Sequence, residues 1–290
     1  MENSHSKEEF KNLKNIIVHY GTFHADDVFT VAYVQLLRRF YGLDMLKVVR
    51  TFKVADYMTM ENGYLVADIG GGEFDHHFPE AEKKRRDNGV PYAAFGLVVK
   101  NFHHDFLSED EYNLLDKKFI ESIDYHDNCG GGNQLSYAIS MFNKNWDDPD
   151  PNIDNKFFEA VDVASVILSK TIDNIRSFAR ARAIANSQNI DEETHAVYLD
   201  KYAPIEEFFS DDPRVLYIGS PSLRNTYQMI TVKDPCRISK KLFPTNIRGI
   251  SYPDGVYDAD GLSFCHPSGF MATFKDKETA RKYIKKYMEE

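Results

Sequence analysis

A chain of 290 residues, 42% hydrophobic and 13% aromatic, has material for one large packed domain or two modest ones, which excludes a disordered or fibrous protein. With 45 acidic against 35 basic side chains, the formal charge of -10 excludes a broad nucleic-acid-coating surface. It still permits a substrate held at a few phosphates through cations. Three widely spaced cysteines, Cys129, Cys236 and Cys265, include no CxxC pair, so neither a disulfide framework nor a structural zinc site is expected.

Met1 to Lys14 reads as a polar tail or a short exposed helix, with neither a secretory nor a transit pattern. No apolar run approaches membrane-spanning length, so a soluble intracellular protein is expected, with no membrane partner. The cytoplasm is the default compartment; nucleus and mitochondrion stay open. Ile16-Ile17-Val18 is a brief buried strand. It leads through His19-Tyr20-Gly21-Thr22-Phe23-His24-Ala25-Asp26-Asp27 into a helix from Val28 to Phe40, stopped at Gly42. Leu46 to Arg50 and Tyr64 to Ala67 read as further strands, the second ending on Asp68; helices follow near Ala93–Phe102 and Glu111–Asp124. Strands alternating with helices imply an α/β fold with a mostly parallel, helix-covered sheet, and ligands then bind at the carboxyl ends of the strands.

Residues 146–154 look like a loop. From Asn155 to Ala185 the spacing of Phe157, Val161, Ala164, Leu168, Ile172, Ile175 and Ala179 predicts one long helix. Arg176, Arg180 and Arg182 near its end suit the helix dipole better than a phosphate clamp. Beyond Thr194 the texture changes. Val215 to Ile218 and Met229 to Val232 are strands, and Lys277 to Tyr287 is a helix. The organisation expected is a tail over 1–14, a metal-binding domain over 15–190 that includes the long helix, and a smaller α+β domain over 191–290.

The polar residues carry the chemistry. Val66-Ala67-Asp68 runs through three glycines into Asp75-His76-His77, so carboxylates and imidazoles crowd a turn after an apolar strand. The bland alternative is a hydrophilic surface turn. Together with His19, His24, Asp26, Asp124 and Asp127, these residues number enough ligands for two metals. Histidine and aspartate suit a borderline divalent ion such as manganese, iron, zinc or cobalt. A pair of ions sharing a carboxylate serves in-line attack at phosphorus. His19-x4-His24-x-Asp26 spans a strand end, a loop and a helix start, where several side chains can point into one pocket. A lone histidine at position 19 would more often be structural.

These residues, in this order, resemble the DHH phosphoesterase superfamily. More closely, Gly21 to Asp27, Asp68-Ile69-Gly70-Gly71, Phe74 to His77 and Phe119 to Asn128 look like the melanocyte-proliferating-gene family of exonuclease-like proteins. Leu199 to Pro204, Phe243-Pro244 with Arg248-Gly249, and His266-Pro267-Ser268-Gly269-Phe270 extend the resemblance to the C-terminus. It implies a two-domain phosphoesterase using two divalent ions, manganese first, with magnesium, zinc, iron or cobalt as alternatives. The substrate implied is RNA or a short oligonucleotide, trimmed from 3′ to 5′. By that resemblance His19, His24 and Asp68 hold one ion, and Asp26, Asp68, His76 and Asp124 the other. Asp124 is preferred over Asp127 for the last position. His77 faces the phosphate and Asp75 orients a histidine, which makes Asp68, His77 and Asp75 the catalytic set.

The widespread superfamily pattern has aspartate where this chain has His24. His266, Ser268, Gly269 and Arg248 are candidates for receiving substrate, although a polar hairpin loop explains the first three equally well. Lys83-Lys84-Arg85-Arg86 is a basic run that guides substrate or is merely solvated. A small-molecule phosphoesterase or pyrophosphatase, and a non-catalytic scaffold, are the alternative functions. A homodimer is compatible with the sequence.

Overall fold

The computed structural model describes residues 5–79, 83–149 and 152–289, so part of the loop expected at 146–154 and the first residues of the tail lie outside it. The chain is an α/β protein with a parallel sheet in its N-terminal part and a mixed sheet in its C-terminal part. It forms two compact units, Met1–Arg176 and Ser177–Glu290.

In the first unit, helix α1 (Lys7–Asn12) precedes strand β1 (Asn15–His19). α1 is not a frayed tail: Phe10 and Leu13 are buried, and the Arg38 guanidinium donates to the Phe10 and Lys11 carbonyls at 3.2 and 3.1 Å. One anchoring aromatic outweighs the polar composition around it, because burying such a side chain is worth about 1.5–3 kcal/mol. Ile16, Ile17 and Val18 of β1 are fully buried, as a central strand covered on both faces requires. Its parallel neighbours are β2 (Lys47–Thr51) and β3 (Tyr64–Val66), in the order β2-β1-β3, with His19 opposite Thr51.

Helix α2 (Ala25–Phe40) connects β1 to β2 and buries almost its whole first half. It begins a turn before the apolar spacing does, because Asp26 and Asp27 suit a helix N-terminus. Helices α3 (Ala94–Phe102), α4 (Glu109–Leu115) and α5 (Glu121–Cys129) follow, the last two joined by a π-helical turn at Asp116–Ile120. Phe29 of α2 packs between Phe95 and Phe119 at ring distances of 5.5 and 5.3 Å, tying these helices to the sheet. Short α6 (Gln134–Ser140) was not foreseen; long α7 (Ile153–Asn186) was, with Phe157, Ala164, Leu168 and Ile172 on its buried stripe. Arg176 donates to the Phe106 carbonyl at 2.7 Å, a packing role rather than a phosphate clamp.

The units divide within α7, whose last turns bury Ala181 and Ala185 against Val197, Leu199 and Val215. The second unit holds β4 (Ala196–Tyr198), β5 (Tyr217–Pro221), β6 (Tyr227–Thr231), β7 (Leu262–Cys265) and β8 (Met271–Phe274), in the order β4-β5-β6-β8-β7. Only β4–β5 is parallel. Helix α8 (Lys277–Glu289) covers the sheet through Ala280 and Ile284. Among the described residues no helix is long and apolar enough to cross a membrane.

Candidate metal centre

The site grows from two strand ends. β1 delivers His19, and Asn143 then clamps the loop by accepting from Phe23 N (3.0 Å) and donating to Phe23 O (2.8 Å). His24 sits before α2, its backbone N–H held by Asp27 Oδ1 at 3.1 Å. Asp26 and Asp27, in the first helical turn, are fully buried. Beyond β3, Asp68 takes a left-handed backbone (φ 60), which aspartate tolerates better than most residues, and its N–H donates to Phe74 O at 3.0 Å. The glycine loop then returns the chain to Asp75-His76-His77. Asp75 ties that loop down by accepting from Gly71 N (2.7 Å), His77 N (3.1 Å) and His77 Nδ1 (2.7 Å).

The side chains converge. Asp68 is shared: Oδ1 lies 2.9 Å from His76 Nε2 and Oδ2 lies 3.2 Å from His19 Nε2. His19 Nε2 is also 3.0 Å from Asp27 Oδ2. His76 Nε2 lies 3.1 Å from Asp127 Oδ2 and 3.5 Å from Asp26 Oδ2, and His24 Nδ1 is 3.4 Å from Asp127 Oδ1. Three donor groups therefore interlock: His19, Asp27 and Asp68; Asp68, His76 and His77; His24, Asp26 and Asp127. The other face of His76 is fixed by Asn128, whose Oδ1 is 3.3 Å from Nδ1. This contact assigns the proton to Nδ1 and leaves Nε2 turned toward the carboxylates.

So many buried carboxylates cannot all be charged without compensation. Burial, then Asp68, Asp127 and Asp27, raise the Asp26 carboxyl well above its usual range. Burial raises Asp27 as well. It also works against a charged His19, yet neighbouring Asp27 and Asp68 lift that ring to about 10. Burial alone would raise Asp68, but His19 and His76 hold it below the usual carboxylate range. At the exposed edge, the hydrogen bond that His77 donates to Asp75 raises that imidazole. The most telling atoms are Asp26 Oδ1 and Oδ2, buried with no hydrogen-bond partner among the described residues. Oxygen atoms in this state, ringed by imidazoles, fit divalent cations in both charge and donor type.

His19, His24, Asp26, Asp68, Asp75, His76 and His77 are thus brought together. Asp124 is not among them. It is bonded instead to Arg86 (2.7 Å) and to Gly96 N (3.2 Å), and a Cβ at Gly96 would strike its Oδ2. Asp127, one turn on, enters the cluster in its place. Asp27 was missed as a member because an aspartate at the third position of a helix reads as a capping residue. Two other histidines, His103 and His104, approach Glu109, but both His103 nitrogens already have partners, at Lys100 O (2.9 Å) and Glu109 Oε1 (3.0 Å).

In the second unit, His266, Ser268 and Gly269 form the β7–β8 turn: His266 Nδ1 meets Ser268 Oγ at 2.8 Å, and Gly269 N donates to His266 O at 2.8 Å. Arg248 packs against Gly269 and donates to Phe243 O at 2.8 Å. These four residues form a cluster of their own within that unit.

A donor cluster of histidine and aspartate at the carboxyl ends of parallel strands defines the class: an α/β protein with a site that could hold metal ions. Within that class the chain belongs to the family described as "Uncharacterised protein family (UPF0160)", MYG1_exonuc, whose model matches residues 15–288. It is 25% identical to the MYG1 protein of Chlamydia trachomatis serovar D, covering 93% of this chain and 95% of the relative. It is 24% identical to the MYG1 exonuclease of Homo sapiens (90% and 82% covered). With the MYG1 protein YER156C of Saccharomyces cerevisiae the identity is 23% (95% and 96% covered). No solved structure matches this chain.

Proposed function

We propose that this chain is a divalent-metal-dependent phosphodiesterase of the DHH type, acting as a 3′–5′ exonuclease on RNA or short oligonucleotides. The observation that carries the proposal is the buried Asp26 carboxylate, without a hydrogen bond among the described residues, 3.5 Å from the His76 imidazole and beside further carboxylates. Relatives that carry the name exonuclease support the choice of reaction. His19, His24, Asp26, Asp68, His76 and Asp127 would hold two ions, manganese first, with Asp68 shared between them. Asp127 replaces Asp124 in this set because Asp124 already has Arg86 as its counter-charge. When bound, such ions supply Lewis acidity toward phosphoryl oxygens and a more acidic water.

The remaining work falls to the protein. Asp75 holds His77 by Nδ1 and thereby presents Nε2 outward, and its carboxylate favours the charged imidazole. His77, about three-fifths exposed, can then donate to a phosphate oxygen and stabilise developing charge. The His266–Gly269 turn and Arg248 would receive the substrate in the second unit, as a separate proposal.

The test is hydrolysis of 3′-labelled and 5′-labelled oligonucleotides with manganese, with inorganic pyrophosphate as competing substrate. Stepwise loss from the 3′ end is expected. Asp68→Ala should lower the rate by roughly a hundredfold to a thousandfold or more. Wild-type activity in that variant, or release of phosphate from pyrophosphate alone, rejects the exonuclease reading.

A further inference from the structure

Beside the loop after His19 lies an aromatic pair, half-buried Tyr20 and exposed Phe52. Phe52 leaves 77% of its surface in water. The ring is nonetheless held in place. It meets Tyr20 edge-on at 5.0 Å, and Tyr20 N donates to Thr51 O at 2.9 Å. Beneath Tyr20 lies the Arg50 guanidinium, 5.4 Å from the ring; it is buried and donates to Gly21 O at 2.7 Å. The following segment is anchored too. Lys53 N donates to Thr51 Oγ1 at 3.2 Å, and Val54 packs so closely on Gly70 that a Cβ there would lie 2.9 Å from its methyl carbon. Residues 51–54 are thus fixed to both loops that carry the cluster, the one after His19 and the one after Asp68.

Position limits what can cover this pair. Thr51 lies opposite His19 in the parallel register. A strand spacing of about 4.8 Å and a rise of about 3.3 Å per residue put the Phe52 backbone about 6 Å from that of His19. The ring itself lies against the loop between His19 and His24, its Cε1 3.8 Å from where a Gly21 Cβ would stand, so a group stacked on Phe52 lies beside the loop that carries two of the donor histidines. Neither ring of the pair offers the array of donors and acceptors needed to read a base edge, so a π face is what the pair presents.

We propose that Phe52, backed by Tyr20, is a stacking platform for the nucleobase attached to the phosphate at the donor cluster, and that it accepts any base. The proposal rests on the phosphodiesterase reading above. Aromatic faces bind bases this way with little sequence preference.

Adenosine 5′-monophosphate and base-less ribose 5-phosphate are titrated calorimetrically into the full chain with manganese. Wild-type protein should bind the nucleotide about tenfold more tightly, Phe52→Ala should bind both alike, and Phe52→Trp should keep the preference. Phe52 is exposed, so these variants should fold; circular dichroism checks that. Equal wild-type affinity for the two ligands, or a preference that survives in Phe52→Ala, overturns the platform while leaving the phosphate site standing. Failure of ribose 5-phosphate and nucleotide alike to bind overturns both readings. Sedimentation supplies one more outcome: a dimer lost in Phe52→Ala without change in nucleotide preference would assign the pair to self-association and overturn the proposal.

Discussion

Two acidic regions lie within one turn of each other on α5, and they are built in opposite ways. Around Asp124 one guanidinium serves two carboxylates: Arg86 donates to Asp124 at 2.7 Å and to both oxygens of Asp116 at 2.6 and 2.7 Å, while burial still raises the Asp124 carboxyl to about 7. Gly96 adds a backbone N–H. Around Asp127, carboxylates face one another, and the groups within ion-pair distance of them among the described residues are imidazoles. The first region is closed by its guanidinium, and the second leaves the Asp26 oxygen atoms without a hydrogen bond among the described residues. A buried aspartate is therefore informative only through what neutralises it: a guanidinium completes the fold, whereas unmatched oxygen atoms call for something the chain does not itself contain.

Paired variants can break this contrast. Asp127→Asn should reduce manganese-dependent hydrolysis by roughly a hundredfold to a thousandfold with little loss of stability. Asp124→Asn should do the reverse, destabilising the fold by about 1.5 kcal/mol, because the hydrogen bonds from Arg86 and Gly96 N to a carboxylate are weakened while Arg86 keeps Asp116. Denaturant unfolding beside rate measurements on both proteins checks this, and exchanged outcomes would return the ligand role to Asp124. A smaller effect is expected at Asn128. Asn128→Ala frees His76 Nδ1 and should weaken manganese binding by about tenfold to a hundredfold, read by calorimetry, with unfolding of the metal-free protein much less affected.

The smallest effect has an unusual sign. Asp26→Asn should stabilise the metal-free protein by about 1 kcal/mol, because a buried charge without a donor is removed. In the metal-free protein the folded-state value of Asp26 lies above its unfolded value. Its contribution therefore declines as pH rises past the ordinary carboxylate range, and Asp26→Asn should flatten that decline. Thermal melts of metal-stripped protein from pH 4 to 8 measure both effects. Destabilisation across that range would mean that Asp26 is satisfied after all.

The contrast also explains what could be read from residues alone. β1, α2 and α7 were legible because Ile16 to Val18 form an unbroken apolar run and the helices repeat apolar residues every three or four positions. The cluster around Asp68 was legible because its histidines and aspartates lie beside strand ends and glycines. β4, β7 and β8 were not, since their three or four residues, unlike those of β3, are not set off by an apolar run ending at a polar motif. α6 has only seven residues. The choice between Asp124 and Asp127 could not come from periodicity, because residues three apart share a helix face. It turns on Arg86, 38 positions before Asp124, and on the missing side chain of Gly96.

The π-helical turn at Asp116–Ile120 acts as a ruler. It sets the winding phase between Asp116, clasped by Arg86, and the two aspartates that follow. Removing one residue there would rotate everything downstream by about 100° and swing Asp124 and Asp127 off their targets together. Length in this stretch is thus under tighter constraint than the identity of its side chains, and a library of single deletions should find its sharpest intolerance here, ahead of the glycine loops.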